Sequence, residues 1–319
     1  MTRFFVTGGT GFIGSNLVAQ LLQDGAEKVT VYDNFITGKR WHLDALKSDK
    51  LTIVEGDIHD RPRLSQAIAG HDVVFHLAAN ADIAKAAQEP LIDFDQGTVL
   101  TQFVLEAMRL NGIKRVLFTS GSGVYGEAPG FPIPENYPGM TPISTYGAQK
   151  LASEALVSSY CHMFDFVGTV TRFANVVGPL MTHGVTHDFI RKLMKDPTRL
   201  AIFGDGQQTK PYVHVTDVIN AMLLAFRTQK EGYAVYNVAS LDRVTVKDVA
   251  DIVTAEMGLK NVKYEFSGGA RGWRADVPVY ELDSNKLRAQ GWTHQYTSHQ
   301  SVTAASRAML KELAEKGEL

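Results

Sequence analysis

Tyr146 and Lys150 stand four residues apart in Ser144-Thr-Tyr-Gly-Ala-Gln-Lys150. On a helix that spacing puts both side chains on one face. The ammonium can then lie near the phenol, where a cation favours the ionised form and lowers its pKa. A tyrosine tuned in this way takes a proton from a sugar or alcohol hydroxyl near neutral pH. The carbon left behind can give hydride to a nicotinamide. The pair outlines an oxidoreductase site, provided that a dinucleotide is close by.

The opening of the chain supplies that dinucleotide. Gly9, Gly11 and Gly14, within Gly8-Gly-Thr-Gly-Phe-Ile-Gly14, have G-x-G-x-x-G spacing directly after a strand and into a helix. That context gives a tight turn, close backbone approach to a pyrophosphate and a helix N-terminus aimed at the anion. Gly8, Gly11, Phe12, Ile13 and Gly14 are therefore expected to contact the cofactor. Asp33 falls at the end of the second strand, followed by Asn34. A carboxylate there accepts from both ribose hydroxyls and repels a 2′-phosphate, which favours NAD over NADP. Lys39 and Arg40 follow; they either soften that preference or are solvated loop charges. Asp57 and Ile58, Leu77-Ala78-Ala79 and Ser120 lie at the carboxyl ends of later strands, where open α/β sheets bind ligands. They complete the expected cofactor set, together with Tyr146 and Lys150.

These residues need a sheet to hold them. Short apolar runs over 3–7, 28–33, 51–54, 72–77 and 114–120 suit a buried parallel sheet, and 166–172 adds a sixth strand. Helical patterns lie between them, with Ile13, Leu17, Val18, Leu21 and Leu22 on one apolar face and Phe103, Val104, Ala107 and Met108 on another. Strand–helix alternation implies a Rossmann-type, doubly wound parallel α/β sheet. After about residue 175 glycines punctuate shorter elements, with helices expected over 215–227, 245–257 and 298–313. The sequence thus divides into a dinucleotide-binding domain over 1–175, to which the chain later returns, and a smaller, interwoven α/β lobe over 176–319.

Composition narrows the function. Of 319 residues 45% are apolar and 21% charged, with a formal charge of −2. That balance gives no electrostatic case for nucleic acid or membrane surfaces. No apolar run reaches the roughly 18–20 residues that span a bilayer, and the first fourteen residues read as a strand and turn rather than a cleavable leader. The single cysteine, Cys161, has no disulfide or metal partner and reads as a packed thiol. No metal site is expected, and a reducing cytoplasm fits best. His76, in an apolar strand, and His214 read as satisfied core histidines.

Together these residues resemble the extended short-chain dehydrogenase/reductase superfamily, in particular its NAD-dependent nucleotide-sugar epimerases and dehydratases. The resemblance runs from Gly8 to about residue 295. It is carried by the glycine turn, Asp57-Ile58, His76-Leu-Ala-Ala79, Val124-Tyr-Gly126, Tyr146-x3-Lys150, Arg172-Phe-Ala-Asn175, Phe203-Gly-Asp-Gly206 and Arg274-Ala-Asp276. The nearest likeness is to UDP-glucose 4-epimerase-like proteins. It implies tightly held NAD, a UDP-linked sugar between the lobes, and a homodimer. It also implies Tyr146 as general base, Lys150 on the nicotinamide ribose, and Asn175, Lys210 and Arg274 on the substrate diphosphate.

Three positions depart from the family pattern. Gly121 stands where a catalytic serine or threonine is usual, so Ser122, Ser120 or a water must take that role, with Ser122 the better placed. Gly97 replaces an asparagine, and Ala275 replaces a glycine. The reading favoured by the sequence is C4 epimerisation of a UDP-hexose or UDP-hexuronate through a transient 4-keto sugar. A 4,6-dehydratase would need an acid and a base where Ser122-Gly123 stand; a dehydrogenase or reductase, or a non-catalytic NAD-binding scaffold, are the remaining alternatives.

Overall fold

The computed structural model describes residues 2–80 and 83–319. Its main sheet has seven strands: β1 (Arg3–Thr7), β2 (Lys28–Asp33), β3 (Leu51–Glu55), β4 (Val73–His76), β5 (Arg115–Gly121), β6 (Val167–Phe173) and β7 (Tyr233–Val238). They lie in the order β7-β6-β5-β4-β1-β2-β3. Parallel pairing fixes Phe4 against both Val29 and Val73. The order reverses between β1 and β4, and ligands of such sheets bind at the carboxyl side of that reversal.

The central strands are mostly buried because helices cover both faces. Phe5, Val6, Val29, Val31, Val74 and Phe75 are fully buried. Helices α1 (Phe12–Gln23), α2 (Arg61–Ile68), α3 (Leu100–Leu110) and α4 (Thr145–Phe164) supply Leu17, Val18, Leu21, Leu64, Val104, Met108 and Val157 to the core. Helix α4 starts where Ser144 accepts the Gly147 N–H at 3.0 Å, an N-cap worth about 1 kcal/mol. Cys161 is buried in the same core, and burial pushes its thiol up to about 11, as a packed thiol requires.

The chain forms two compact units. The first comprises Met1–Gly126, Pro138–Arg172 and Met222–Tyr236; the second comprises Glu127–Tyr137, Phe173–Ala221 and Asn237–Leu319. The first unit includes a returning segment, and Glu127–Tyr137 of the first half falls in the second unit. The returning segment ends in β7, a seventh strand absent from the sequence reading. It is joined to β6 where Gly168 N–H meets Gly232 O at 2.8 Å.

In the second unit, short two-stranded pairings set Asn175–Val177 beside Tyr212–His214 and Arg199–Ile202 beside Lys263–Phe266. Its helices include α5 (Val185–Lys195), the first half of α6 (Val215–Thr228), α7 (Val246–Glu256) and α8 (Ser298–Glu315). Capping boxes at Thr245/Asp248 and Thr297/Gln300 start α7 and α8. No helix among the described residues is long and apolar enough to cross a membrane.

Candidate active site

The glycine turn is shaped by contacts that leave no room for side chains. Gly8 has φ +68°, and a Cβ on Gly14 would lie 2.2 Å from the Gly8 carbonyl oxygen. The turn can therefore fold flat against the start of α1, whose Gly11 cap offers no side-chain acceptor to the first N–H groups. Phe12 is buried, while Ile13 stays half-buried. Free N–H groups at a helix start suit a pyrophosphate. The cradle fits a dinucleotide.

Asp33 is buried at the end of β2, where its Oδ2 accepts Thr10 N–H and its Oδ1 accepts Phe35 N–H, each at 3.0 Å. Each oxygen keeps a further lone pair, as two ribose hydroxyls require. Asn34 donates to Asp57 Oδ2 at 3.0 Å. The other Asp57 oxygen takes both the N–H and Nδ1 of His59 at 2.8 Å. Burial raises the Asp57 pKa, but the His59 and Asn34 bonds outweigh it and hold the carboxyl below its usual range. Ile58 is buried, and Leu77, Ala78 and Ala79 are half-buried. Ala78 N–H reaches Thr7 Oγ1 at 3.3 Å, across the reversal between β1 and β4. His76 bonds Thr7 Oγ1 at 2.7 Å and Thr101 Oγ1 at 3.1 Å, and burial pulls it down to about 3. It is a satisfied core histidine. His214, buried against the Tyr296 ring at 4.4 Å, is likewise a packed one.

Tyr146 and Lys150 lie on one face in the first turns of α4. The Lys150 Nζ is buried, donates to Thr119 O at 2.9 Å and sits 5.8 Å from the Tyr146 ring centroid. In this structure two other influences oppose the expected lowering of the phenol pKa. Burial, reinforced by the Asp93 carboxylate, pushes Tyr146 up to about 12. Burial pulls Lys150 down to about 8, against Glu154 and Asp93. The spacing makes the two residues neighbours; the surroundings decide their protonation.

The loop after β5 is pressed onto that helix. A Cβ on Gly147 would lie 2.4 Å from Gly123 O, so the glycine next to Tyr146 sets how close Gly121-Ser122-Gly123 comes. Ser122 is half-buried and has no hydrogen-bond partner among the described residues. Ser120, by contrast, is buried and gives its hydroxyl to Glu154. That carboxylate is held by Arg172 through Nε at 3.0 Å and Nη2 at 2.6 Å, and Arg172 also donates to the Tyr125 hydroxyl at 2.8 Å. Glu154, one helical turn beyond Lys150, thus links β5, α4, β6 and the Val-Tyr-Gly segment. Its position on the Lys150 face is readable from i,i+4 spacing; its arginine partner on the next strand is not.

The second unit gathers most of the residues expected on the substrate. Asn175 pairs with Tyr212 in parallel register and accepts from the Tyr280 hydroxyl at 3.3 Å. Lys210, two residues before Tyr212, is ion-paired with Asp276, whose other oxygen accepts Gly272 N–H at 3.0 Å. Arg274 is exposed, with no hydrogen bond or ion pair among the described residues. Arg271, which the sequence reading passed over, is anchored to Asp276 O at 3.0 Å and to Glu127. Among the described residues no group of His, Cys, Asp and Glu has a metal-holding arrangement.

Residues 4–239 match the model of the NAD dependent epimerase/dehydratase family. The chain belongs to that family. Its cofactor is NAD, and the cradle and Asp33 described above fit it. The UDP-glucose 4-epimerase of Mycolicibacterium smegmatis is 33% identical over 302 residues, covering 92% of this chain and 94% of its own. A crystal structure of UDP-galactose 4-epimerase superposes with a TM-score of 0.86 at 36% identity, over 98% and 99% of the two chains. A dTDP-glucose 4,6-dehydratase from Streptomyces venezuelae, solved with NAD bound, gives a TM-score of 0.89 at 25% identity over 98% of each chain. Epimerases and dehydratases of the family share this fold, so the fold leaves the reaction open.

The three departures from the family pattern have different physical settings. Gly121 has φ −159°, an extended backbone that any residue adopts, so no conformational demand keeps a glycine there. Gly97 leaves space that another side chain takes: a Cβ there would be 2.2 Å from Gln149 Oε1. Gln149 is buried, and its amide has no hydrogen-bond partner among the described residues. The backbone at Ala275 is not left-handed, so its methyl group is carried without strain.

Proposed function

We propose that the protein epimerises a nucleotide sugar at C4, with a UDP-hexose or UDP-hexuronate as substrate. The observation that carries this reading is the setting of Tyr146: beside Lys150, on a helix pressed against a loop that carries Ser122-Gly123 and no acid–base pair. A dehydratase needs such a pair to eliminate water, and an epimerase does not. NAD, when bound, would supply the acceptor and donor for the C4 hydride. Tyr146 takes the proton of the C4 hydroxyl and gives it back. Lys150 holds the nicotinamide ribose, and Ser122 bonds the reacting hydroxyl. Asn175, Lys210 and Arg274 bind the diphosphate, Lys210 as a point charge without the bidentate fork of an arginine. The net redox change is zero, so orientation and charge placement carry the catalysis.

The names of the relatives support the UDP-linked substrate, and a cytoplasmic homodimer belongs to the same proposal. Incubation of the purified protein with a panel of nucleotide sugars, without added cofactor, tests it by NMR. A C4-inverted sugar is expected. A 4-keto-6-deoxy product would establish dehydration instead, and no conversion of any sugar would favour a non-catalytic NAD-binding role.

A further inference from the structure

We infer that Asp93 is a positioning residue for Tyr146: a buried carboxylate that ties the start of α4 to the segment after β4 and opposes the charge of Lys150. This deepens the proposed function, since it rests on Tyr146 as the proton carrier. Asp93 is 1% exposed. Its Oδ1 accepts from Asn80 Nδ2 at 2.8 Å and its Oδ2 from Thr145 Oγ1 at 2.7 Å. Asn80 directly follows the cofactor segment 77–79, and Thr145 directly precedes Tyr146.

The contact belongs to a longer seam. Helix α4 and the stretch leading into α3 meet at matched steps of four residues: Thr145 with Asp93, Gln149 with Gly97, and Ser153 with Thr101 at 3.0 Å. The stretch Phe94–Val99 is wound as a π-helix, with Gln96 outside helical geometry, and π-turns often mark functional sites. Both groups that hold Asp93 are neutral. An asparagine could satisfy much of that bonding at lower desolvation cost, so the charge itself calls for an explanation.

Among the described residues, the charged groups set beside the Tyr146 ring are Lys150 from its own helix and Asp93 from the segment Leu91–Asp93. Glu154 and Asp93 act on Lys150 in turn, and Lys150 acts on His76. A cation beside the phenol favours the phenolate and a carboxylate beside it favours the phenol. Lys150 is placed to do the first, and Asp93 does the second.

Difluorotyrosine in place of Tyr146 brings the phenol's titration into a range where the protein stays folded, and fluorine NMR reads it directly. Asp93→Asn should lower the midpoint by about one pH unit, a tenfold change in the phenolate ratio. Thr145→Val, which removes the bond and keeps the charge, should leave the midpoint in place. An unmoved midpoint in Asp93→Asn, or an equal shift in Thr145→Val, overturns the inference. If Asp93→Asn does not fold, Asp93→Ser tests the same charge; failure of both to fold makes Asp93 structural and also overturns it. No sugar enters the measurement, so its outcome is separate from whether nucleotide sugars are turned over.

Discussion

The charged pairs around the candidate site are held differently in the two units. In the first, Glu154 and Arg172 are each 3% exposed and joined through two guanidinium nitrogens, with Ser120 and Tyr125 bonded to the same pair. In the second, Lys210 is 18% exposed beside Asp276, and Arg271 is 41% exposed beside Glu127. A sealed pair cannot exchange partners without leaving a charge buried, whereas an open one can accept a phosphate as a third member. The first arrangement is frame, fixed beneath Lys150. The second suits groups that meet a ligand and let it go.

Seven substitutions break or sharpen this contrast, taken in falling order of effect. Tyr146→Phe keeps the ring and removes the proton acceptor, so turnover should fall by about 10²–10⁴-fold with NAD still bound; near-normal turnover would remove Tyr146 from the mechanism. Glu154→Gln strands the Arg172 charge in the core and should destabilise the fold by about 3–5 kcal/mol in urea unfolding. A cost as small as that of a surface pair would show that the network is not sealed.

Lys210→Ala and Arg274→Ala should each raise KM for the nucleotide sugar by roughly 10–150-fold, the loss of one charge-assisted hydrogen bond, with NAD affinity unchanged. A larger effect from Arg271→Ala than from Arg274→Ala would move the phosphate contact to the anchored arginine. Ser122→Ala should slow turnover about tenfold, and Gly121→Ser, allowed by its extended backbone, should preserve or raise activity. Indifference to Ser122 together with a large gain from Gly121→Ser would give the bridging role to water.

Much of the sheet could be read from the chain because β1 to β6 are continuous apolar runs bounded by turn residues, and the glycine turn announces itself by spacing. β7 could not. Tyr233-Ala-Val-Tyr-Asn-Val238 is half-buried at its start and joins the sheet through a pairing some sixty residues back along the chain. The Tyr146–Lys150 face follows from helical periodicity, yet the direction of their pKa values does not. It depends on burial and on Asp93, which lies 52 residues before Thr145 in a stretch with no clear period. Gln149 is similar: its neighbour Gly97 looks like a lost side chain until the fold shows what fills the space.

The late arrival of β7 has a consequence for biosynthesis. When β6 has left the ribosome, its outer edge still shows unpaired N–H and C=O groups, and the strand that covers it follows only after roughly sixty more residues. At about 5–20 residues per second that interval lasts several seconds. Throughout it, the nascent sheet presents the kind of open border that invites pairing with other chains. A gene fragment ending near residue 172 would make that interval permanent, so the nucleotide-binding half cannot be cut free as a continuous piece without exposing an adhesive edge.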